Sequence, residues 1–492
     1  MTTFTDSQIN TFLDERIGSF AENLSGLVKI DSESGDPKKA NKLDEIVETL
    51  EKNAKARGFQ TTKVQAVDKE RTYPALVAKY EVNPEAPWVL VYNHADVQPE
   101  GDREKWEGED PFSGHIDYEQ GIVHGRGATD DKGPLLGTLY ALEFLMKNNL
   151  LGVNVELVYE TAEESGSGGF KKMLEDGLAN GVIKHPNHVF VSDTEFKEGH
   201  PNLLLSLRGI LAARVSLKYA EGTMHSGIFG DNVPSAVEIL ADLLGTCKDP
   251  YNGRVLIPEF YNGVKAPSKA EFAAIRKAGR YMSVDGLKKA ATAYVLRDES
   301  VEGMLRKTGL EATLAIHTIK GGGFGTGIAP SAEAFVTARL IQGQNPKAIK
   351  QNLVQHLARV YSDRTQQAGV PHLYGGVTDV SDLPASERNV PCRIEVDYSH
   401  TVNPFKTTSE TQYHQKALEA YARFFDKAPL LLFEGGTIGT LPMMQEVFGT
   451  EMPFVLLAQS QDTDGYHQEK EHYHLDHARK AIGTVAQYFA SL

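Results

Sequence analysis

A chain of 492 residues is too long for one ordinary hydrophobic core, so two domains, or one domain inserted in another, are expected. Its composition is that of a soluble globular protein, and a net charge of −15 spread along the chain argues against a nucleic-acid or anionic-membrane partner. Cys247 and Cys392, the only cysteines, exclude a thiolate metal site and a disulfide framework; with no signal-type apolar stretch in residues 1–20 and no bilayer-length apolar run, a cytoplasmic protein is expected.

Residues 7–28 place Ile9, Phe12, Leu13, Ile17, Phe20 and Leu24 at helical spacing, and residues 42–56 repeat the pattern, which predicts two covering helices. Residues 61–80 alternate as strands. The apolar, β-branched run 88–92 reads as a buried strand, closed by Pro99, which cannot continue a central strand. His94 and Asp96 sit where that strand leaves its sheet. On a period of two their side chains point the same way, so the carboxylate can orient the imidazole or its neighbour.

Glycine-rich residues 125–134 follow, with Asp130 and Asp131, ahead of a strongly apolar helix over 135–145. Strand, glycine-rich loop and helix in that order resemble a phosphate-binding loop, but neither phosphate fingerprint is present and two acidic residues repel phosphate. Acidic groups there suit a cation, or a helix cap. A second strand, 153–159, runs out into Glu163 and Glu164; a third, 189–192, is followed directly by Asp193. Of the adjacent glutamates, one can bind a metal while the other faces a water as general base. The strand 454–457 precedes a loop holding His467, His472 and His474, among which spacing alone does not choose.

His94, the glutamate pair, Asp193 and a late histidine thus each come just after a predicted buried strand, and in an open α/β sheet the carboxyl ends of strands form the ligand crevice. Two imidazoles and three or four carboxylates without a thiolate match the ligand set of zinc, cobalt or manganese hydrolases.

The strings His94-Ala95-Asp96-Val97-Gln98-Pro99, Gly125-Arg126-Gly127 with Asp130-Asp131-Lys132-Gly133, Glu163-Glu164-Ser165-Gly166-Ser167 and Ser192-Asp193 closely resemble the di-zinc M20 metallopeptidases, above all their cytosolic dipeptidase and carnosinase branch. The resemblance implies an α/β zinc-peptidase core with a mixed central sheet flanked by helices, over residues 1–210 and 405–492. It implies an inserted α+β lid and dimerisation domain over 211–404. Two divalent ions per subunit are implied, Zn2+ before Mn2+ or Co2+. His94, Asp130 and Asp193 would hold one, and the bridging Asp130 with Glu164 and His467 the other. Glu163 would be the general base acting on a metal-bridging water, Asp96 would orient His94, and the Asp130–Asp131 peptide would be cis.

In the inserted part, His225-Ser226-Gly227 resembles the lid motif whose histidine enters a neighbouring subunit's site, so a homodimer through the lid is implied. Arg339 matches the family's receptor for a substrate carboxylate, residues 255–261 resemble the dipeptidase branch's longer lid, and Gly435-Gly436 match a loop carrying substrate contacts. Two positions depart from the pattern: Asn93 stands where the family has Gly, and Gly327 where it has Asn or Thr. The implied reaction is hydrolysis of an amide bond in a dipeptide or short peptide with a free carboxylate. An N-acyl amino acid deacylase is the alternative within enzymes, and a non-catalytic binding protein the alternative outside them, against which an intact Glu163 argues.

Overall fold

Seven residues, Trp88–His94, form the strand on which the first part of the chain is laid down, and every one after Trp88 is buried. In the computed structural model, which describes residues 4–69, 71–106, 110–322, 325–409 and 411–492, this strand pairs in parallel with Asn154–Glu160 on one side and His188–Val191 on the other. Parallel strands covered on both faces carry continuous rather than alternating apolar residues, which is how these three read in sequence. The sheet order is Gln60–Asp68, Arg71–Tyr80, Asn154–Glu160, Trp88–His94, His188–Val191, Phe454–Leu457, Asn202–Leu207 and Phe405–Lys406, with Leu430–Glu434 also pairing Asn202–Leu207. Arg71–Tyr80 is antiparallel to both of its neighbours, and Phe454–Leu457 is parallel to one and antiparallel to the other, so the sheet is mixed, as expected.

The helix Asp6–Val28 starts at a capping box, Thr5 with Gln8, and buries Ile9, Leu13, Phe20 and Leu24. It packs with Ala40–Lys55, Gly133–Lys147 and Leu475–Ala490 into one core over the sheet. Residues 133–145 are all buried, which is why the sequence there is apolar all round instead of striped. No helix among the described residues is long and apolar enough to cross a membrane.

The chain divides into two compact units, Met1–Leu205 with Thr407–Leu432 and Ile438–Leu492, and Ser206–Lys406 with Phe433–Thr437. The second unit holds a five-stranded sheet ordered Thr313–Gly321, Ser331–Leu340, Gly209–Lys218, Ile394–Val402, Val377–Asp379. Along Ser331–Leu340 the buried residues alternate, with Ala332, Ala334, Val336, Ala338 and Leu340 turned into a core shared with Leu240, Leu353 and Leu357. Arg339 is out of phase with them and faces away from that core. Gly323 and Phe324, within the glycine-rich residues 321–327, lie outside the described residues.

Candidate metal centre

Each candidate residue of the first unit sits at or just beyond a strand's carboxyl end. His94 closes its strand, Asp193 follows His188–Val191 after one residue, and Glu163 and Glu164 form a single 3-10 turn after Asn154–Glu160. Asp130 lies in the loop before Gly133–Lys147, and the peptide joining it to Asp131 is cis. Ligand atoms of His94, Asp130 and Glu164 all lie within 4.8 Å of one another. The two oxygens of Asp130 face different imidazoles: Oδ1 stands 3.0 Å from His94 Nε2 and Oδ2 2.7 Å from His467 Nε2. His467 is also 3.3 Å from Glu164 Oε1, and Asp193 is 3.9 Å from His94 Nε2.

The polar atoms of this arrangement converge as the ligands of a cation would. His94 Nδ1 lies 3.1 Å from the backbone carbonyl of Asp96, an acceptor only, so Nδ1 carries the proton and Nε2 presents a lone pair to Asp130. A lone pair against a carboxylate oxygen at 3.0 Å repels unless a proton or metal lies between them. Burial favours the neutral His94 ring, yet Asp130, Asp96 and Asp193 outweigh it and raise its pKa well above the usual range. His467 is pushed up to about 11 by Asp130 and Glu164. Asp130 Oδ2, though buried and close to His467, receives no hydrogen bond of acceptable angle from the described residues. A divalent cation satisfies the same oxygens and nitrogens, and three carboxylates with two imidazoles and no sulfur fit zinc, cobalt or manganese.

Glu163 has a different environment from its neighbour. Burial, reinforced by the charges of Asp193, Glu164 and Glu160, raises its carboxyl well above the ordinary range despite the pull of His94. Glu164 instead accepts from Gln98 Nε2 at 2.7 Å. Asp96 meets the His94 ring twice, with its backbone carbonyl 3.1 Å and its carboxylate Oδ1 3.4 Å from Nδ1. Its carboxylate accepts from the N–H groups of Glu163 and Glu164 and from Ser34 Oγ, thereby holding the turn that aims both glutamates.

Several residues build the site through contacts that the sequence does not show. Asp131 Oδ2 accepts from Asn93 Nδ2 at 2.7 Å, and the same Asn93 nitrogen donates to Ser192 Oγ at 2.7 Å, so Asn93 ties three loops together at a position where glycine could not. Tyr466 donates to Asp193 Oδ1 at 2.9 Å. Glu471 accepts from Arg126 and from the N–H groups of Gly127, Thr129 and Asp130, fixing the loop that bears Asp130. Only the folded chain reveals these, because each partner is remote in sequence.

The second unit places its candidates as follows. His225 is exposed on a two-residue strand paired with Gly327–Ile328, and its Nδ1 accepts from the Gly227 N–H. A Cβ at Gly327 would stand 2.2 Å from Thr223 Cγ2, so the close ladder accounts for glycine there. Arg339 donates to Thr437 Oγ1 at 2.9 Å, and that hydroxyl donates to the Arg208 carbonyl at 2.6 Å. Arg208 comes close because Gly435 lacks a side chain, whose Cβ would lie 2.4 Å from Arg208 Nη2. A Cβ on Gly436 would meet only Leu207, at 3.9 Å. Burial, and after it the charge of Arg339, brings Arg208 down to about 10.

An α/β sheet that gathers histidines and carboxylates at its strand ends around a would-be cation, with a further glutamate beside them, defines the metallohydrolase class. The chain belongs to peptidase family M20/M25/M40, whose model matches residues 90–491. It is 25% identical to a Cys-Gly metallodipeptidase, dug1, of Schizosaccharomyces pombe over 98% of this chain and 97% of that one. It is 24% identical to the Beta-Ala-His dipeptidase of Homo sapiens over 81% of this chain and 73% of that protein. The solved structure of the di-peptidase Dug1p from Saccharomyces cerevisiae shares the fold with a TM-score of 0.78, at 22% identity over 99% of this chain and 98% of that one.

Proposed function

We propose that this protein is a metal-dependent dipeptidase. The observation that carries the reading is the Asp130 carboxylate, one oxygen turned to His94 and the other to His467, with Glu164 and Asp193 closing the ring and Glu163 beside it. His94, Asp130 and Asp193 would hold one divalent ion, and Asp130, Glu164 and His467 a second, with zinc suited best by the donor set. When bound, such ions polarise a scissile carbonyl and bring the pKa of water down to about 7.

The chain's own residues do the rest. Glu163, with its raised pKa, accepts a proton from the attacking water as the oxygen adds to the amide carbon, and returns it to the departing amine nitrogen as the C–N bond breaks. Arg339, with Arg208 at its side, takes the free carboxylate of the substrate. His225 is assigned to the developing oxyanion in a partner subunit, which makes the second unit a lid and the working form a homodimer. Family membership and relatives that act on Cys-Gly and β-Ala-His dipeptides support short peptides as substrates. A cytoplasmic location fits the free cysteines.

Metal-reconstituted protein assayed on a panel of dipeptides, tripeptides and N-acyl amino acids tests this. Hydrolysis of dipeptides is expected. Turnover confined to N-acyl amino acids would replace the reading with a deacylase, and turnover of none would replace it with a binding role.

A further inference from the structure

A second cluster of metal-ligating side chains lies in the first unit, outside the centre just described. The strand His472–His474 pairs antiparallel with Ile122–His124, placing His472 directly opposite His124. Because side chains alternate along a strand, His472 and His474 share one face while Tyr473, fully buried, takes the other. The His472 ring centroid is 5.0 Å from that of His474 and 5.9 Å from that of His124, which in turn stacks on His115 at 5.8 Å. Four imidazoles thus form a row over two paired strands and His115, the residue just before the strand Ile116–Asp117.

Behind the row stands a buried carboxylate. Ligand atoms of Asp464, His472 and His474 lie within 4.8 Å of one another, the same closeness that joins His94, Asp130 and Glu164. The His472 ring is already set for ligation: its Nδ1 lies 2.9 Å from the Lys470 carbonyl, which can only accept, so Nδ1 bears the proton and Nε2 turns its lone pair toward Asp464 Oδ1, 3.9 Å away. Asp464 is oriented in turn by Thr129 Oγ1 and the Gln461 N–H, both on Oδ2. A tetrahedral ion with bonds of about 2 Å sets its ligand atoms roughly 3.3 Å apart. Closing that gap takes small rotations of His472 and His474, whose partial exposure permits them.

We propose that Asp464, His472 and His474 form a further binding site for one divalent transition-metal ion of the zinc, nickel or copper type. Two neutral nitrogens and a single carboxylate select those metals over magnesium or calcium, which demand more oxygen ligands. Through Thr129, the residue before Asp130, and through the turn from Asp464 to His467, an ion bound here bears on both loops of the first centre.

The test is a count of Zn2+ bound per chain, by titration of tag-free, metal-stripped protein against a chromophoric chelator, for the parent, for a His472→Gln/His474→Gln double variant and for Asp130→Ala. The double variant should bind one ion fewer than the parent, while Asp130→Ala loses ions from the first centre and keeps this one. Cu2+ added to Asp130→Ala should show electron paramagnetic resonance couplings from imidazole nitrogen that vanish when His472 and His474 are also replaced. Equal zinc counts in parent and double variant, or copper couplings indifferent to these histidines, would overturn the proposal. Should the double variant fold poorly by circular dichroism, the His474→Gln single variant gives the same readouts.

Discussion

Glu471 and Arg126 form a buried ion pair at 2.8 Å across 345 positions of sequence. The glutamate also receives three backbone N–H groups from the loop that bears Asp130, so it couples the end of the chain to the candidate metal centre. Glu471→Ala strands the Arg126 charge and those donors in the interior, a loss of about 3–5 kcal/mol. Urea unfolding should show that drop, with reduced metal content. An unchanged midpoint and unchanged metal content would show that the loop is held by other contacts.

Glu163 and Glu164 should separate cleanly. Glu163→Ala should keep both ions and lower kcat by roughly 10²–10⁴-fold, whereas Glu164→Ala should lose one ion, because only Glu164 faces His467. Metal analysis of the two purified variants decides between the roles, and equal metal loss in both contradicts the assignment.

Chelation should abolish peptide hydrolysis, and zinc, cobalt or manganese should restore it. The fold should survive, since the ligands ride on loops around a large core, and circular dichroism should register little change. Full turnover after verified metal removal would refute the metal-dependent mechanism.

Acid should weaken the fold through two histidines that are not ligands of either candidate site. Burial brings both His188 and His477 down to about 3. His188 Nε2 meets Tyr488 Oη while its Nδ1 lacks a partner among the described residues, as does Nε2 of His477, which packs against Phe196 and Phe425. Unfolded, each would titrate near 6.5, so between 6.5 and 3 the unfolded chain binds more protons and stability rises with pH. The contribution is complete above 6.5 and is lost as pH falls toward 3, reaching about 2 kcal/mol per histidine by pH 5. Urea midpoints at pH 7 and pH 5 should converge in His477→Gln relative to the parent; an identical pH slope would exclude this origin.

His225 in trans can be tested by mixing. Neither His225→Ala nor Glu163→Ala subunits should be active alone, but after subunit exchange one site in each mixed dimer receives both groups, and activity should reappear. A mixture that exchanges yet stays inactive removes the shared site.

The strands, the covering helices and the order of candidate residues were legible because burial writes itself as apolar runs, and strand ends as the polar residues that interrupt them. His94, Glu163, Glu164 and Asp193 stood out for that reason. Tyr466 and Glu471 did not, and Asn93 and Asp131 were noticed without their contacts, because the work of all four is done against partners from other segments. For Asp96 the sequence offered the neighbourhood of His94 but not the second contact, by which the same carboxylate accepts from the glutamate turn. Arg208 and the need for glycine at 327 and 435 likewise emerge only from close packing.

The strand Phe454–Leu457 lies between His188–Val191 and Asn202–Leu207 in the sheet, yet it leaves the ribosome long after both. At 5–20 residues per second, two edges destined for the middle of the sheet wait on the order of ten seconds or more while the intervening unit is synthesised. Open edges of that kind pair readily with other chains. Protection of those edges from neighbouring chains would matter during that interval, and because Asp130 and His467 lie on either side of the intervening unit, the centre they share is completed only after that unit has been made.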